Sequence, residues 1–225
     1  MFLEKNIKGL CDKFGLDFED FLADLDVESV EDLAISDLEV ICEEYDTDLN
    51  ALIFNYPFKS NHFKSKLEKI KLLVIDVDGV MTDGGMYVSE SGDEFKKFNT
   101  KDGMGIIHLT KNDFQVAIIS SGFKGEAVQQ RAERLGIQHC SVSRIPKMET
   151  LKSICNELKI EFSNVAIIGD DINDLEVIKA VGFSACPSDA VTIVKSNVDV
   201  ILNKKGGEGC VRELIDFYIL TSPLN

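Results

Sequence analysis

The sequence predicts an α/β fold, a doubly wound parallel sheet with a projecting β-hairpin, preceded by a small N-terminal helical domain. From Ile70 onward, short apolar runs alternate with amphipathic helical patterns, which marks a parallel sheet covered by helices on both faces. Apolar and polar positions alternate on either side of Ser91-Gly92, the pattern of an antiparallel hairpin. Residues 1–58 show helical spacing and N-cap candidates but no strand pattern.

In the front segment, Asp17 and Ser29 are N-cap candidates before FEDFLADL and VEDLA. Ser36-Asp-Leu-Glu39 has capping-box spacing, and Leu38, Ile41, Cys42 and Tyr45 recur at helical intervals. The run ISDLEVICEEYDTDLNALIF is similar to the closing helices of small domains of the Cro and phage-repressor class, which implies a compact bundle of four or five helices. The basic recognition helix of such DNA readers is missing, because the corresponding ADLDVESVED is acidic. A degenerate bundle that contacts a protein partner, or caps the rest of the chain, is therefore expected at residues 1–58. The polar, basic, aperiodic PFKSNHFKSK supplies a linker at residues 59–66 and leaves 67–225 as the core domain.

Charge separates the two parts. Residues 1–58 hold 16 Asp and Glu against 3 Lys, so the remainder has 23 acids against 21 bases and the formal charge of -15 lies mostly in front. Such a segment repels a phosphate backbone, which excludes nucleic acid as the expected partner. The apolar runs stop well short of the roughly 20 residues of a membrane span, and the N-terminus lacks a secretory pattern, so a cytoplasmic protein with no membrane partner is expected. The six cysteines form no C-x-x-C pair and the three histidines are isolated, so thiols are expected rather than disulfides or zinc.

In the core, KLLVID (71–76), QVAIIS (115–120) and NVAIIG (164–169) have the length and composition of fully buried strands, with MGIIHLTKN, EAVQQRAERLG and METLKSICNELK as intervening helices and Gly136 as a C-cap. GGMYVSE and GDEFKKFN form the hairpin arms. Ligands of such sheets sit beyond the carboxyl ends of the strands. There the first strand runs into Asp76-Val-Asp78-Gly79, whose neighbouring carboxylates repel unless a hard cation with oxygen ligands compensates them. A lone D-x-D-G also suits a solvated acidic turn or a calcium loop. Three more features fall on the same edge: Gly169-Asp170-Asp171-Ile172-Asn173-Asp174, Ser120-Ser121-Gly122 with donors for a phosphate oxygen, and Lys147 at a helix start.

With these motifs in order, and with TDGGMY, EFKKFNTKDGMGI, RAERLGI and KKGGEGCVREL beside them, residues 67–218 resemble the haloacid dehalogenase superfamily. Within it they resemble the capless phosphatases of phosphorylated 3-deoxy-2-ulosonic acids, of Rossmann-like fold. The resemblance implies Asp76 as nucleophile through an aspartyl-phosphate and Asp78 as general acid/base. It implies Mg2+ held by Asp76, the Asp78 carbonyl and Asp170, with Asp171 or Asp174 in support. Ser120 and Lys147 would stabilise the transferring phosphoryl group.

One departure concerns the second motif, where relatives carry Thr-Gly and then Arg or another polar residue, but this chain has Ser120-Ser121-Gly122-Phe123. Strand spacing favours Ser120 as the phosphate ligand, and counting back from the helix favours Ser121. Arg131 and Arg134 match positions that hold the substrate carboxylate in nonulosonate phosphatases, or else line a solvated helix face. Gly206, Gly207 and Gly209 suit a loop near phosphate or sugar, with Arg212 reaching the site of its own or an adjacent subunit. The expected substrate is 3-deoxy-D-manno-octulosonate 8-phosphate or a sialic-acid-type nonulosonate 9-phosphate such as 2-keto-3-deoxynononate 9-phosphate, with TDGGM, KKFNT and GGEG leaning to nine carbons. The alternative is a noncatalytic regulatory partner of a sugar-nucleotide synthetase. The resemblance also implies a homotetramer joined through hairpin and tail.

Overall fold

A computed structural model describes residues 2–45, 47, 49–54, 63–122 and 125–220. The chain divides into two compact units, Met1–Ser65 and Lys66–Asn225. Most of the expected linker, residues 55–62, lies outside the described residues; its last residues enter a short helix, α5 (Lys64–Leu67).

The front unit contains α1 (Phe2–Phe14), α2 (Phe18–Asp24), α3 (Ile35–Glu44) and α4 (Leu49–Phe54), with a short 3-10 turn at Val30–Asp32. Asp17 caps α2 by accepting Glu19 N at 2.9 Å and Asp20 N at 3.1 Å. Ile7, Leu10 and Cys11, spaced to share one helix face, meet Phe21, Leu22, Val30, Leu38, Ile41 and Leu52 in the core. The expected Ser36 capping box is not formed. The helix starts one residue before Ser36, and the Asp37 carboxylate reaches back to Ala34 N (2.8 Å), so Ala34 occupies the cap position and Ser36 lies in the first turn.

The second unit is built on β1 (Leu72–Ile75), β2 (Tyr87–Val88), β3 (Glu94–Phe95), α6 (Thr100–Lys111), β4 (Gln115–Ser120), α7 (Glu126–Leu135), β5 (His139–Val142), α8 (Lys147–Leu158), β6 (Val165–Ile168), α9 (Leu175–Ala180), β7 (Phe183–Cys186), α10 (Thr192–Lys195), β8 (Val200–Ile201) and α11 (Cys210–Leu214). Six strands form one parallel sheet in the order β5-β4-β1-β6-β7-β8. Leu72, Val74, Ala117, Ile119, Val165 and Ile167 pack with Met148, Leu151, Val177 and Ile178 from α8 and α9. The alternate residues Leu73, Ile75, Ile118, Ala166 and Ile168 are equally buried, so both sheet faces are covered and the strands read as unbroken apolar runs.

β2 and β3 pair antiparallel, Tyr87 opposite Phe95, with Gly92 at φ +83 in the turn. The paired arms are two residues long, shorter than the alternating sequence, and Met86, Tyr87, Val88 and Phe95 are exposed. The strand order reverses direction between β1 and β6, and the crevice that this opens at their carboxyl ends is where an open α/β sheet receives ligands.

Candidate active site

β1 hands Asp76 to the crevice. Its amide still follows the sheet, donating to Ile168 O (3.1 Å), while its side chain is 6% exposed. Gly79 turns the chain at φ +85, and a Cβ there would lie 2.0 Å from Asp170 Oδ2, so only glycine lets the two acidic segments meet. β6 supplies Asp170 from the other side. Asp174 follows one turn later, fully buried, and its Oδ2 accepts Asp170 N at 3.2 Å. One oxygen from each of Asp76, Asp170 and Asp174 falls within 4.8 Å of the others.

Lys147, the first residue of α8, enters from the next element. Its Nζ lies 2.8 Å from Asp76 Oδ1 and 2.7 Å from Asp174 Oδ1, and its side chain is 3% exposed. Burial alone would lower its pKa, but Asp76 and then Asp174 outweigh this and hold the ammonium above its ordinary value. Burial pushes Asp76 upward, with Asp174 adding to it, and burial together with Asp76 pushes Asp170 up further. Asp170 Oδ1 is buried without a hydrogen-bond partner. Three carboxylates and one ammonium leave a formal charge of -2, which one divalent cation cancels. The donor set therefore fits a hard divalent metal.

The expected residues separate on inspection. Asp76, Asp170, Asp174 and Lys147 converge. Asp171 does not join them: its exposed carboxylate accepts Ile172 N (2.7 Å) and caps the turn that carries Asp174, so of the two acids read as supports only Asp174 reaches the cluster. Asp78 points its carboxylate at Lys96 Nζ (2.5 Å) and Thr82 Oγ1 (3.4 Å). Ser120 ends β4 at 5% exposure, whereas Ser121 is exposed and accepts Asn173 Nδ2 at 3.4 Å. Gly122 lies beside Val142, and Phe123 is outside the described residues.

Arg131 is half-buried over the Phe98 ring, its Nη2 donating to Asn99 O (3.4 Å), while Arg134 is exposed in the last turn of α7. Arg212 departs from the expectation of reaching the site of its own subunit: its Nε bonds both oxygens of Asp216, one turn along the same helical stretch. The glycine tail does approach the site. Gly207 N donates to Val80 O at 2.9 Å, and a Cβ on Gly206 would lie 2.0 Å from Gly79 O. Sequence reasoning missed Lys96, which bridges Asp78 and Glu94; hairpin alternation, which sets Glu94 and Lys96 on one side, was the available signal.

Comparison with known proteins agrees with this geometry. The profile of the haloacid dehalogenase-like hydrolases matches residues 140–214. The 3-deoxy-D-manno-octulosonate 8-phosphate phosphatase of Salmonella typhi is 38% identical over 161 residues, covering 72% of this chain and 85% of that protein. The crystal structure of the Yersinia pestis phosphatase of the same name superposes with a TM-score of 0.68 at 36% identity, over 71% of this chain and 86% of that one. The Moraxella catarrhalis enzyme, solved with magnesium, phosphate and KDO, gives a TM-score of 0.67 at 33% identity over 71% and 91%. A cobalt-bound Haemophilus influenzae relative gives 0.65 at 35% over 68% and 90%.

Fold and site thus define a phosphomonoester hydrolase, and the chain belongs to the haloacid dehalogenase-like hydrolases. Within that superfamily it is of the 3-deoxy-D-manno-octulosonate 8-phosphate phosphatase type. Among the described residues no helix is long and apolar enough to cross a membrane.

Proposed function

We propose that this chain hydrolyses 3-deoxy-D-manno-octulosonate 8-phosphate, with Asp76 as nucleophile and Mg2+ as the divalent ion. The observation that carries the reading is the cluster at the β1/β6 crevice: three converging carboxylates, one of them with an orphaned buried oxygen, and a buried lysine against the nucleophile. Names of the relatives favour eight carbons over the nine to which TDGGM, KKFNT and GGEG lean.

In this mechanism Asp76 attacks phosphorus as the sugar oxygen departs, forming an aspartyl-phosphate, and water then releases phosphate. Asp78, exposed on the side facing the hairpin, protonates the leaving oxygen and later takes a proton from the water, with Lys96 and Thr82 orienting its carboxylate. Lys147 neutralises charge on the equatorial phosphoryl oxygens, and Ser120 donates to them. Asp76, Asp170 and Asp174 would hold the cation, which supplies charge neutralisation in the transition state.

Steady-state hydrolysis of the eight-carbon 8-phosphate and 2-keto-3-deoxynononate 9-phosphate, with Mg2+ and with chelator, tests the reading. We expect Mg2+-dependent turnover with the higher kcat/KM for the eight-carbon ester, abolished in Asp76→Asn. Equal, feeble turnover of both esters would reject the substrate, and an active Asp76→Asn would reject the nucleophile.

A further inference from the structure

The tail of the chain and the turn that carries Asp76 and Asp78 are in backbone contact. Gly207 N donates to Val80 O at 2.9 Å, and Cys210 Sγ lies 3.3 Å from the same carbonyl. A Cβ on Gly206 would lie 2.0 Å from Gly79 O and 2.9 Å from Thr82 O, and one on Gly207 would lie 2.6 Å from Asp83 N. With no side chain between the two backbones, displacement of the 206–209 loop is felt directly by the turn.

The start of α6 holds the loop at Gly207 and again just beyond its far end, while Gly206 N donates to Asp189 Oδ1 at 3.0 Å. Asn99 caps α6 by accepting Lys101 N (2.9 Å) and also donates its Nδ2 to Gly207 O (3.0 Å). Asp102, in the first turn, accepts Arg212 N at 2.7 Å, one of the open amides at the start of α11. Asp102 is 2% exposed, and its Oδ2 is buried without a hydrogen-bond partner. The charged groups facing it are Arg131 from α7 and Arg212 from α11. Neighbouring glycines make this approach possible: a Cβ on Gly103 would lie 2.2 Å from Arg131 Nη2, and one on Gly105 3.0 Å from Arg212 Cδ. A buried carboxylate is costly to keep, and here its hydrogen bond goes to the tail rather than to its own helix.

We infer that Asp102 is a positioning residue for the phosphatase reaction: by holding the amide end of α11 it seats the 206–209 loop against the 79–82 backbone and so sets the turn that carries Asp76 and Asp78. The catalytic part of this inference rests on Asp76 being the nucleophile; the seating of the loop does not.

Hydrogen exchange and steady-state kinetics on the full chain with Mg2+ test both parts. In Asp102→Ala, the amides of Gly207 and Arg212 exchange faster by about tenfold or more while those of β1 and β6 do not change. On 3-deoxy-D-manno-octulosonate 8-phosphate, kcat falls about tenfold and KM stays within about twofold, the split expected when transition-state geometry is disturbed without loss of a substrate contact. Asp102→Asn keeps an oxygen for Arg212 N and restores kcat to within about threefold of the parent. Should Asp102→Ala fail to fold, Asn99→Asp serves in its place: it keeps the acceptor for Lys101 N, removes the donor to Gly207, and is expected to speed Gly207 exchange and lower kcat.

Parent-like exchange at Gly207 in Asp102→Ala, or fast exchange with parent-like kcat, overturns the inference. So does a rise in KM at constant kcat. If the parent turns over no phosphate ester, the nucleophile assignment fails, while exchange still decides whether Asp102 seats the loop.

Discussion

Lys147 reaches two carboxylates at once because α8 begins where it does. With Asp76 and Asp174 at 2.8 Å and 2.7 Å, its ammonium is the counter-charge for two buried acids. Lys147→Met strands both, and breaking a buried pair on one side costs about 3–5 kcal/mol, so a sharp fall in the urea midpoint is expected along with loss of turnover. Asp170 carries the opposite sign. Burial and Asp76 hold it above the usual carboxylate range, so the fold tolerates its charge poorly unless a cation is present. Asp170→Asn should therefore leave the metal-free protein as stable as the parent or more so at pH 7, and at the same time abolish the thermal stabilisation produced by Mg2+. A variant that loses stability without metal yet still responds to Mg2+ would contradict this.

Glycine and turn chemistry decide the elements around the site. Gly79→Ala must fit a Cβ 2.0 Å from Asp170 Oδ2 at a φ of +85, so loss of cation-dependent stabilisation is expected, read by calorimetry with and without Mg2+. At the start of α6, burial pushes Asp102 up to about 6 despite its bond to the Arg212 amide and the nearby Arg131. A raised acid holds its proton longer in the folded chain than in the unfolded one. The associated stability is present below about pH 4 and is lost as pH rises through about 6, a loss of about 2–3 kcal/mol. Asp102→Asn should lack this part of the pH dependence when both proteins are compared at saturating Mg2+. Identical stability profiles would show that Asp102 has the same pKa in the folded and unfolded chain.

At the scale of the molecule, every residue assigned to the site belongs to the 66–225 unit. Removal of residues 1–60 is accordingly expected to leave kcat/KM within about twofold, while a loss of tenfold or more would make the front unit part of the enzyme. Mg2+ at about 100 times its Kd should stabilise the catalytic unit by about 2.7 kcal/mol, raising the melting transition of that unit and not that of the front helices. For the front unit we propose a protein partner, and the hairpin and tail are the surfaces we propose for a homotetramer.

The strands legible in the sequence were those whose side chains are apolar on both faces: LLVI, QVAIIS and VAII declare burial by themselves, and their carboxyl ends mark the edge where Asp76 and Asp170 stand. β5, β7 and β8 were not legible. HCSV and FSAC are four residues long and each is interrupted by a serine, and they become strands because a neighbour already in the sheet pairs with them in parallel register. The capping choice at Ala34 over Ser36 was also closed to inspection, since it depends on where the chain enters the helix. Local pattern thus determined the fold class, the catalytic edge and the acids that end β1 and follow β6, because periodicity and turn chemistry are properties of neighbours in the chain. Only tertiary structure decided that Asp174 rather than Asp171 joins the cluster, that Lys96 meets Asp78, and that Asp102 holds the tail. Those depend on distances between segments far apart in sequence, and packing alone sets them.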